Sequence, residues 1–278
     1  MNLLIAVMLF WGLAWLVNLR LARSTRPIVR ILVPMIFGIT LLVLWEGLVH
    51  GLDVSPVILP PPSSVAIKFA ASYKVLWTDL TQTFFKGALS GFIIGALVAF
   101  LVAIAVDRSP FLKAGVLPIG NFMSALPIVG VAPIMVMWFG FGWQSKAAVV
   151  VVMVFFPILI NVIAGLAASE RMQRDLMATW GASYWQTLLK LRLPAAMPFV
   201  FNGLKIAGTL SLIGAIVAEF FGSPTMGIGF RITAEIGRLG LDMIWAEITM
   251  AALAGSAFYG VIVFLERRVT FWHPSQRH

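Results

Sequence analysis

The sequence predicts an all-α membrane protein with about seven transmembrane helices, and three observations support this fold class. Of its 278 residues, 60% are hydrophobic and only 11% are charged, whereas an ordinary soluble domain has about 25% charged residues. Apolar runs of about 20 residues, long enough to span a bilayer, recur along the chain. None shows the short alternating pattern of a membrane β-strand, so helices are expected to satisfy the backbone in lipid.

Seven apolar segments are the candidate spans. The first carries no charge and no basic residue at its start, so we interpret it as a retained helix rather than a signal peptide. The fourth contains Pro118, Pro127 and Pro133, and proline removes a backbone donor and bends a helix. In chain order the segments are residues 2–19, 29–49, 87–106, 114–145, 147–169, 199–221 and 245–265.

The distribution of charge favours a membrane role for this basic chain, whose formal net charge is +9. If the basic segment after the first span is cytoplasmic, that side of the membrane holds 13 Lys and Arg residues and the other side holds six. The positive-inside rule then predicts the N-terminus outside and the C-terminus inside. Because the basic residues are spread over short loops, we expect membrane lipid and no nucleic acid as a partner.

A long amphipathic segment, residues 170–198, separates the fifth and sixth spans and is predicted to be cytoplasmic. Gly181 suits a helix C-terminus with positive φ, and Ser183 can cap a following helix. The pattern therefore predicts two short helices joined at a glycine elbow. Their exposed apolar surface could bind a groove on a partner protein or lie on the inner leaflet as an interfacial helix.

This segment resembles the cytoplasmic coupling motif of binding-protein-dependent ABC importer permeases of the nitrate, sulfonate and taurine type. In that family the motif is Glu-Ala-Ala, three residues, Gly, about nine residues, and a hydrophobic residue before Leu-Pro. Here Asp175 stands at the Glu position, Gly181 matches the glycine and Leu193-Pro194 ends the motif, while Leu176 and Met177 replace both alanines. Further landmarks are Leu44-Trp45-Glu46, Leu59 to Val65, Trp138 to Gly142, Phe156-Pro157 with Asn161, Gly203-Leu-Lys205 and Val217-Ala-Glu219.

The resemblance implies a six-helix type I ABC importer core over residues 28–272, which contains the coupling segment 170–198. An additional transmembrane helix and basic loop, 1–27, precede this core, and a cytoplasmic tail, 273–278, follows it. The residues expected to couple the chain to an ATPase are Arg174, Asp175, Leu176, Met177, Trp180, Gly181, Ala182 and Ser183.

The resemblance also implies partners in a bacterial cytoplasmic (inner) membrane. These are a second permease copy, expected as a homodimer, two cytoplasmic ATPase subunits and an extracytoplasmic substrate-binding protein. The sequence lacks a Walker A pattern, so this chain is not expected to be an enzyme. No cofactor or metal is expected in it, and ATP and Mg would be bound by the ATPase subunits. The outer segment 52–83 is expected to begin a helix near Val65 and to lie near the binding protein.

Six residues are candidates for a pathway or gate. A charge within the membrane is costly unless it is paired or faces water. Glu219 could pair with Arg231 and fasten an outer gate, or pair only structurally, and Asn161 could line the path or hydrogen-bond a neighbouring helix. The prolines could form a gate or only fit their helix to its neighbours. The candidates are Pro127, Gly130, Pro133, Asn161, Lys205 and Glu219.

Two other classes of function remain as alternatives to an importer permease. An ion-coupled secondary transporter would need an acid or histidine relay across the membrane centre, where this chain has few charges. A membrane-embedded enzyme would need clustered histidines or carboxylates. For an importer, the expected substrate is a small organic or inorganic anion, and a pyrimidine vitamin precursor or a flavin is the alternative, because relatives import such compounds.

Overall fold

The computed structural model describes residues 2–24, 26–124, 127–223 and 225–272, and these ranges contain helices and no β-strand. The predicted tail 273–278 lies outside the described residues. Two π-helical segments, Thr81–Leu89 and Leu188–Arg192, interrupt the α-helices. The α-helices are α1 Asn2–Leu21, α2 Pro27–Gly51, α3 Pro62–Ala71, α4 Tyr73–Leu80, α5 Ser90–Arg108, α6 Pro110–Ser124, α7 Ile128–Phe139, α8 Trp143–Ala167, α9 Arg171–Thr179, α10 Tyr184–Thr187, α11 Leu193–Phe221, α12 Ile228–Ile236 and α13 Leu241–Val269.

Within the described ranges, six helical runs are long and apolar enough to cross a bilayer. Two of them are continuous through a π-helical segment and are therefore longer than the sequence predicts, with 36 and 38 residues. The all-α membrane class is confirmed, with six candidate spans and one shorter apolar helix, α7. The runs are Leu3–Leu21, Ile28–Gly51, Tyr73–Arg108, Trp143–Ala167, Tyr184–Phe221 and Leu241–Val269.

The fourth predicted span, 114–145, is wrong as a single helix. Its residues form α6 and α7, and Pro127 stands before α7 with an extended backbone, φ −69° and ψ 114°. Proline has no amide hydrogen to continue the preceding helix, so the bend expected from the prolines is a complete break. With 12 residues, α7 is about 18 Å long, too short for a hydrocarbon core of about 30 Å.

The chain divides into two compact units. The first comprises Met1–Leu76 and Ile232–Ile248, and the second comprises Trp77–Arg231 and Thr249–His278. The two units are described separately below.

In the first unit, α1 packs on a groove in α2 that is formed by two glycines four residues apart. The side chain of Val7 lies over Gly47, and that of Leu4 lies over Gly51. A Cβ atom on Gly51 would lie 2.7 Å from Cγ of Leu4. Small residues at this spacing let two membrane helices approach closely, so the N-terminal helix is packed on the chain rather than loosely attached to it.

The start of α3, also in the first unit, depends on Glu46. Its carboxylate accepts hydrogen bonds from the amide and hydroxyl groups of Ser63, at 2.9 and 2.7 Å. A carboxylate is favourable at a helix N-terminus because it satisfies a free amide and complements the helix dipole. The helix therefore begins at Pro62, ahead of the predicted start near Val65.

In the second unit, α8 packs closely against both α5 and α11 through glycines. A Cβ atom on Gly91 of α5 would lie 2.6 Å from the carbonyl oxygen of Ala147. On the other side, a Cβ atom on Gly165 of α8 would lie 2.8 Å from Cβ of Phe199. These contacts leave no room for larger side chains and fix the three helices as the core of this unit.

Candidate functional site

The glycine elbow of the coupling segment has the predicted backbone. Gly181 has φ +69°, and it follows the C-terminus of α9. The amide of Ala182 donates to the carbonyl of Met177 at 3.0 Å, and the amide of Gly181 donates to the carbonyl of Ala178 at 2.9 Å. These two bonds form a Schellman motif, which satisfies the last carbonyls of a helix. The predicted helix end at Gly181 is confirmed.

The chain resumes a helix immediately after the elbow. Ser183 and Gln186 form a reciprocal capping box, in which each side chain bonds the other residue's amide. The predicted cap is therefore confirmed, but the second helix is not short. It continues through the π-helical segment as the 38-residue run Tyr184–Phe221, so the coupling segment leads directly into a membrane-spanning helix.

An apolar stripe lies along the exposed face of α9. Met172, Leu176 and Trp180, spaced four residues apart, are 80%, 49% and 73% exposed. Residues at this spacing share one helix face. The prediction assigned Met177 to this surface, but its side chain is half-buried, whereas Met172 was missed although its spacing from Leu176 could have identified it.

The two charged residues predicted on α9 have different surroundings. Asp175 is exposed and lies 3.9 Å from Arg171, a loose surface pair that contributes little to stability. Arg174 folds back onto the end of α8, where its Nη1 donates to the carbonyl of Ser169 at 2.5 Å and to that of Ala167 at 3.4 Å. Arg174 therefore anchors α9, while Asp175 remains accessible.

A second arginine holds the other end of the coupling segment. Arg192 forms a bidentate ion pair with Asp107, with distances of 2.7 and 2.6 Å. It also donates from Nε and Nη2 to the carbonyl of Leu166, at 3.0 and 2.9 Å. The hydroxyl of Tyr184 donates to the same Asp107 carboxylate at 2.9 Å. A single sequence contains no local signal for this network, because Asp107 and Arg192 are 85 residues apart.

A buried cluster forms around the N-terminus of α12 and includes Glu219. The consecutive amides of residues 227–229 donate in turn to Asp79 at 2.6 Å, Thr83 at 2.8 Å and Glu219 at 2.8 Å. The hydroxyl of Thr83 also lies 2.9 Å from both carboxylate oxygens of Glu219. We call these three side chains with the three amides the amide clasp.

Only glycine fits at two positions of the amide clasp. Gly227 has φ +123°, and a Cβ atom there would lie 2.6 Å from Cδ of Glu219. A Cβ atom on Gly229 would lie 2.8 Å from Cβ of Glu219 and would also collide with the carbonyl of Ile216. The Gly-Ile-Gly sequence is thus a local signal that could have identified the clasp.

The expected ionic partner of Glu219 was Arg231, but the ion pair that the structure forms joins Arg231 to Asp79. The distance from Nε of Arg231 to Oδ2 of Asp79 is 2.8 Å, and Asp79 is fully buried. Glu219, only 2% exposed, is held by Thr83 and the amide of Gly229. The ion pair of Asp79 and the hydrogen bonds of Glu219 supply the partners that buried carboxylates require.

Lys146 differs most from its predicted environment. It lies between the fourth and fifth predicted spans, on the outer side of the membrane in the predicted orientation, yet it is 1% exposed. Its Nζ donates to the carbonyl of Phe141 at 2.8 Å and to that of Gly222. These carbonyls follow the C-termini of α7 and α11, where a cation complements the helix dipole. Lys146 therefore joins the ends of two helices to the start of α8.

Asn161 and Lys205 both form contacts between helices of the second unit. Asn161 accepts a hydrogen bond from Asn202 at 3.0 Å, which confirms the alternative in which it binds a neighbouring helix. Lys205 forms an ion pair with Glu266 of α13 at 2.9 Å. A pathway role for either residue stays a prediction.

Of the other three pathway candidates, Pro127 precedes α7, and Gly130 and Pro133 lie in the first half of this helix. A Cβ atom on Gly130 would meet no other atom within 4 Å. The same helix borders an apolar cavity of about 150 Å³. The cavity is lined by Met123, Ile128, Val131, Val152, Met153, Phe156, Pro157 and Leu210.

The amide clasp and the Arg192 network lie at opposite ends of the same helical run. Thr83 and Asp107 both belong to Tyr73–Arg108, and their separation of 24 residues corresponds to about 36 Å of helix. A hydrocarbon core is about 30 Å thick. The two polar sites are therefore spaced as expected for sites near the two membrane surfaces.

Comparison with known proteins identifies similar chains. The family described as "Binding-protein-dependent transport system inner membrane component" matches residues 91–271. A probable ABC transporter permease protein of Haemophilus influenzae is 31% identical over 240 residues, which cover 86% of this chain and 97% of that protein. A riboflavin transport system permease protein of Chloroflexus aurantiacus is 31% identical, with coverage of 84% and 88%. A taurine transport system permease protein of Escherichia coli is 28% identical, with coverage of 84% and 86%.

The close fit of the amide clasp predicts that Gly229→Ala destabilises the protein. The added methyl group would have to displace Glu219 and the backbone at Ile216, at a cost of about 1–3 kcal/mol. Gly260→Ala is the matched control, because a Cβ atom at this helical glycine meets nothing within 4 Å. Thermal unfolding of the purified protein in detergent, followed by tryptophan fluorescence, should show a lower Tm for Gly229→Ala alone. Equal Tm values for the two variants would contradict the geometry of the clasp.

Proposed function

The chain belongs to the family of binding-protein-dependent transport system inner membrane components, and we propose that two copies of it form the path for a small solute through an ABC importer. As a permease subunit the chain is a multi-pass membrane protein. An extracytoplasmic binding protein would deliver the solute, and two cytoplasmic ATPase subunits would bind ATP and Mg. Residues 28–272 would form the transport core in a bacterial inner membrane, and 1–27 would be an additional helix with no assigned transport role.

The exposed stripe on α9 carries the proposal. Large apolar side chains exposed beside charged residues are typical of a protein-binding surface. Met172, Leu176 and Trp180 lie on one face of α9, a short helix that Arg174 anchors to the end of α8. A stripe of this form fits a groove on the ATPase. The excess of basic residues on the same side of the membrane supports a cytoplasmic location, with the N-terminus outside and the C-terminus inside.

The elbow would act as a lever between the ATPase and the membrane. ATP binding closes the ATPase pair and moves α9, and the movement passes through Gly181 and the capping box into the run Tyr184–Phe221. Because this run is one continuous helix, displacement of its cytoplasmic end rocks the whole helix. The outward-facing and inward-facing states would then differ mainly by rigid-body rotation.

Docking of the ATPase should depend on the apolar stripe. Trp180→Glu places a charge where an aromatic anchor is expected, and loss of such an anchor weakens binding by about 30-fold or more. Ala178→Glu adds the same charge to an exposed position on the opposite face of α9 and should have little effect. The measurement is co-purification of the cognate ATPase with the permease from membranes of the native host. Normal recovery of the ATPase with Trp180→Glu would contradict the docking surface.

Coupling should depend on the positive φ at Gly181. Gly181→Val should uncouple ATP hydrolysis from uptake, because a β-branched residue in the left-handed region costs about 1–2 kcal/mol. Gly181→Asn is the control, since asparagine tolerates this conformation. No atom lies within 4 Å of a Cβ at this position. The two variants therefore differ in the energetic cost of the left-handed backbone and not in steric overlap. The measurement is solute uptake per ATP hydrolysed in proteoliposomes, and normal uptake with Gly181→Val would overturn the lever.

The amide clasp would fasten the outer gate. It holds the N-terminus of α12 to Glu219 and to the helical run that carries Asp79 and Thr83, so release of these bonds would free α12. The break at Pro127, together with Gly130 and Pro133 in the first half of α7, would supply a second movable element. Asn161 and Lys205 would contribute to the path through their contacts between helices.

Removal of one hydroxyl should weaken the gate. Thr83→Val keeps the shape of the side chain but leaves the Ile228 amide and the Glu219 carboxylate without that partner, which costs about 1–3 kcal/mol. Thr83→Ser retains the hydroxyl. We expect Thr83→Val alone to raise ATP hydrolysis in the absence of the binding protein. The same basal hydrolysis rate in both variants would contradict a gating role for the clasp.

The proposed substrate is a small organic or inorganic anion, which the taurine permease among the relatives supports. A ring compound, such as a pyrimidine or a flavin, is the second candidate, and one observation favours it. The cavity beside α7 has about 150 Å³ and is lined by apolar residues, and an apolar cavity of about that size can hold a benzene ring. Thermal-shift screening of the partner binding protein with taurine, bicarbonate, a formylaminopyrimidine and riboflavin would separate the two.

A further inference from the structure

We propose that Asp107 and Arg192 are positioning residues that transmit the movement of the coupling segment to the ends of α5 and α8. The inference rests on the proposed function, in which an ATPase moves α9. It concerns residues that lie outside the apolar docking stripe and outside the elbow. Its physical basis is the set of bonds made by one guanidinium group.

Arg192 joins three helical elements through a single side chain. It belongs to the π-helical segment Leu188–Arg192, which leads from the elbow into α11. Asp107 is the penultimate residue of α5, and Leu166 is the penultimate residue of α8. The Arg192 guanidinium donates two hydrogen bonds to the Asp107 carboxylate and two to the Leu166 carbonyl. A displacement of Arg192 therefore acts on the ends of α5 and α8 at once.

Arg174 secures the same end of α8 from the other side of the elbow. It binds the carbonyls of Ala167 and Ser169, which lie one and three residues after the Leu166 carbonyl that Arg192 binds. The coupling segment is thus attached to α8 both before and after Gly181. Only the second attachment continues to α5. Arg192 and Tyr184 both bind the Asp107 carboxylate there, and the bidentate Arg192 pair is the stronger of the two links to α5.

The geometry of the pair suits transmission of force. The side chains of Arg192 and Asp107 are 16% and 12% exposed, so solvent competes little for their bonds. The guanidinium is planar, and its bidentate bonds fix orientation as well as distance. A lysine would keep the charge, but its single ammonium group cannot reproduce this planar fork. Arg192→Lys therefore removes the orientation and retains the electrostatic attraction.

The absence of cysteine from the chain allows a direct test on the assembled importer. Thr225→Cys in an exposed loop carries a spin label, and the distance between the labels of the two permease copies is measured before and after trapping with ATP and vanadate. We expect Arg192→Lys to bind the ATPase as the parent does, while the fraction of molecules that shift falls by about 2- to 30-fold. Lys190→Met removes an exposed charge from the same π-helical segment, and its labels should shift as those of the parent do.

A second pair of variants separates positioning from folding. Asp107→Leu leaves the Arg192 charge without its partner and should lower the Tm, whereas Asp107→Leu with Arg192→Met removes both charges and should restore it. We expect the ATP-dependent shift to remain lost in the double variant. Recovery of both the Tm and the shift would overturn the proposal, as would a normal shift in Arg192→Lys.

The outcomes also distinguish this inference from the proposed function. If the unsubstituted chain recovers no ATPase, or its labels show no ATP-dependent shift, the proposed function fails. If the parent and Arg192→Lys both bind the ATPase and both show the ATP-dependent change in label distance, only the role of Asp107 and Arg192 is refuted.

Discussion

A helix that ends inside a protein leaves its last carbonyls or first amides without partners, and a buried polar group that lacks a hydrogen bond is costly because water cannot replace the missing partner. In the second unit charged side chains supply these partners. Lys146, Arg174 and Arg192 donate to carbonyls beyond or near helix C-termini, while Asp79 and Glu219 accept from amides at the start of α12. The residues that satisfy the helix ends are therefore the same residues that form the candidate functional sites.

Charge pairing follows from this use of charged groups. A lysine or carboxylate placed at a helix end inside the protein also needs an opposite charge or several hydrogen bonds nearby. Asp79 has Arg231, and Asp107 has Arg192, each through a short bond. Such contacts are either formed or broken, because their hydrogen bonds weaken steeply once donor and acceptor are out of line. They are suited to separate two conformations rather than to deform gradually.

Features that depend on neighbouring residues in the sequence could be predicted. The span positions follow from composition, and the end of α9 at Gly181 and the cap at Ser183 follow from local backbone preferences, because each involves residues at most five positions apart. The interior partners could not be predicted in this way. Asp79 and Arg231 are 152 residues apart, and a single sequence has no local signal that brings two such residues together.

Two errors of prediction have a common physical origin. Lys146 was assigned to a loop because a lysine between two apolar segments is typical of a membrane surface, but the helix ends around it offer carbonyls that solvate its charge. The second helix of the elbow was expected to be short because the sixth predicted span begins only at residue 199. The bonds of Arg192 to Asp107 and Leu166 remove the cost of continuing that helix. In both cases a tertiary partner reverses the local preference.

The positions of the π-helical segments connect the two polar sites. Thr83 lies in the segment Thr81–Leu89 and Arg192 in Leu188–Arg192, so each polar site takes a residue from a π-helical stretch of a long membrane helix. A π-helical turn contains more residues than an α-helical turn and is frequent at functional sites. It changes the direction in which following side chains point without breaking the helix. Each run can therefore present a polar residue to its site and still move as one rigid body, which is what alternating exposure of a path requires.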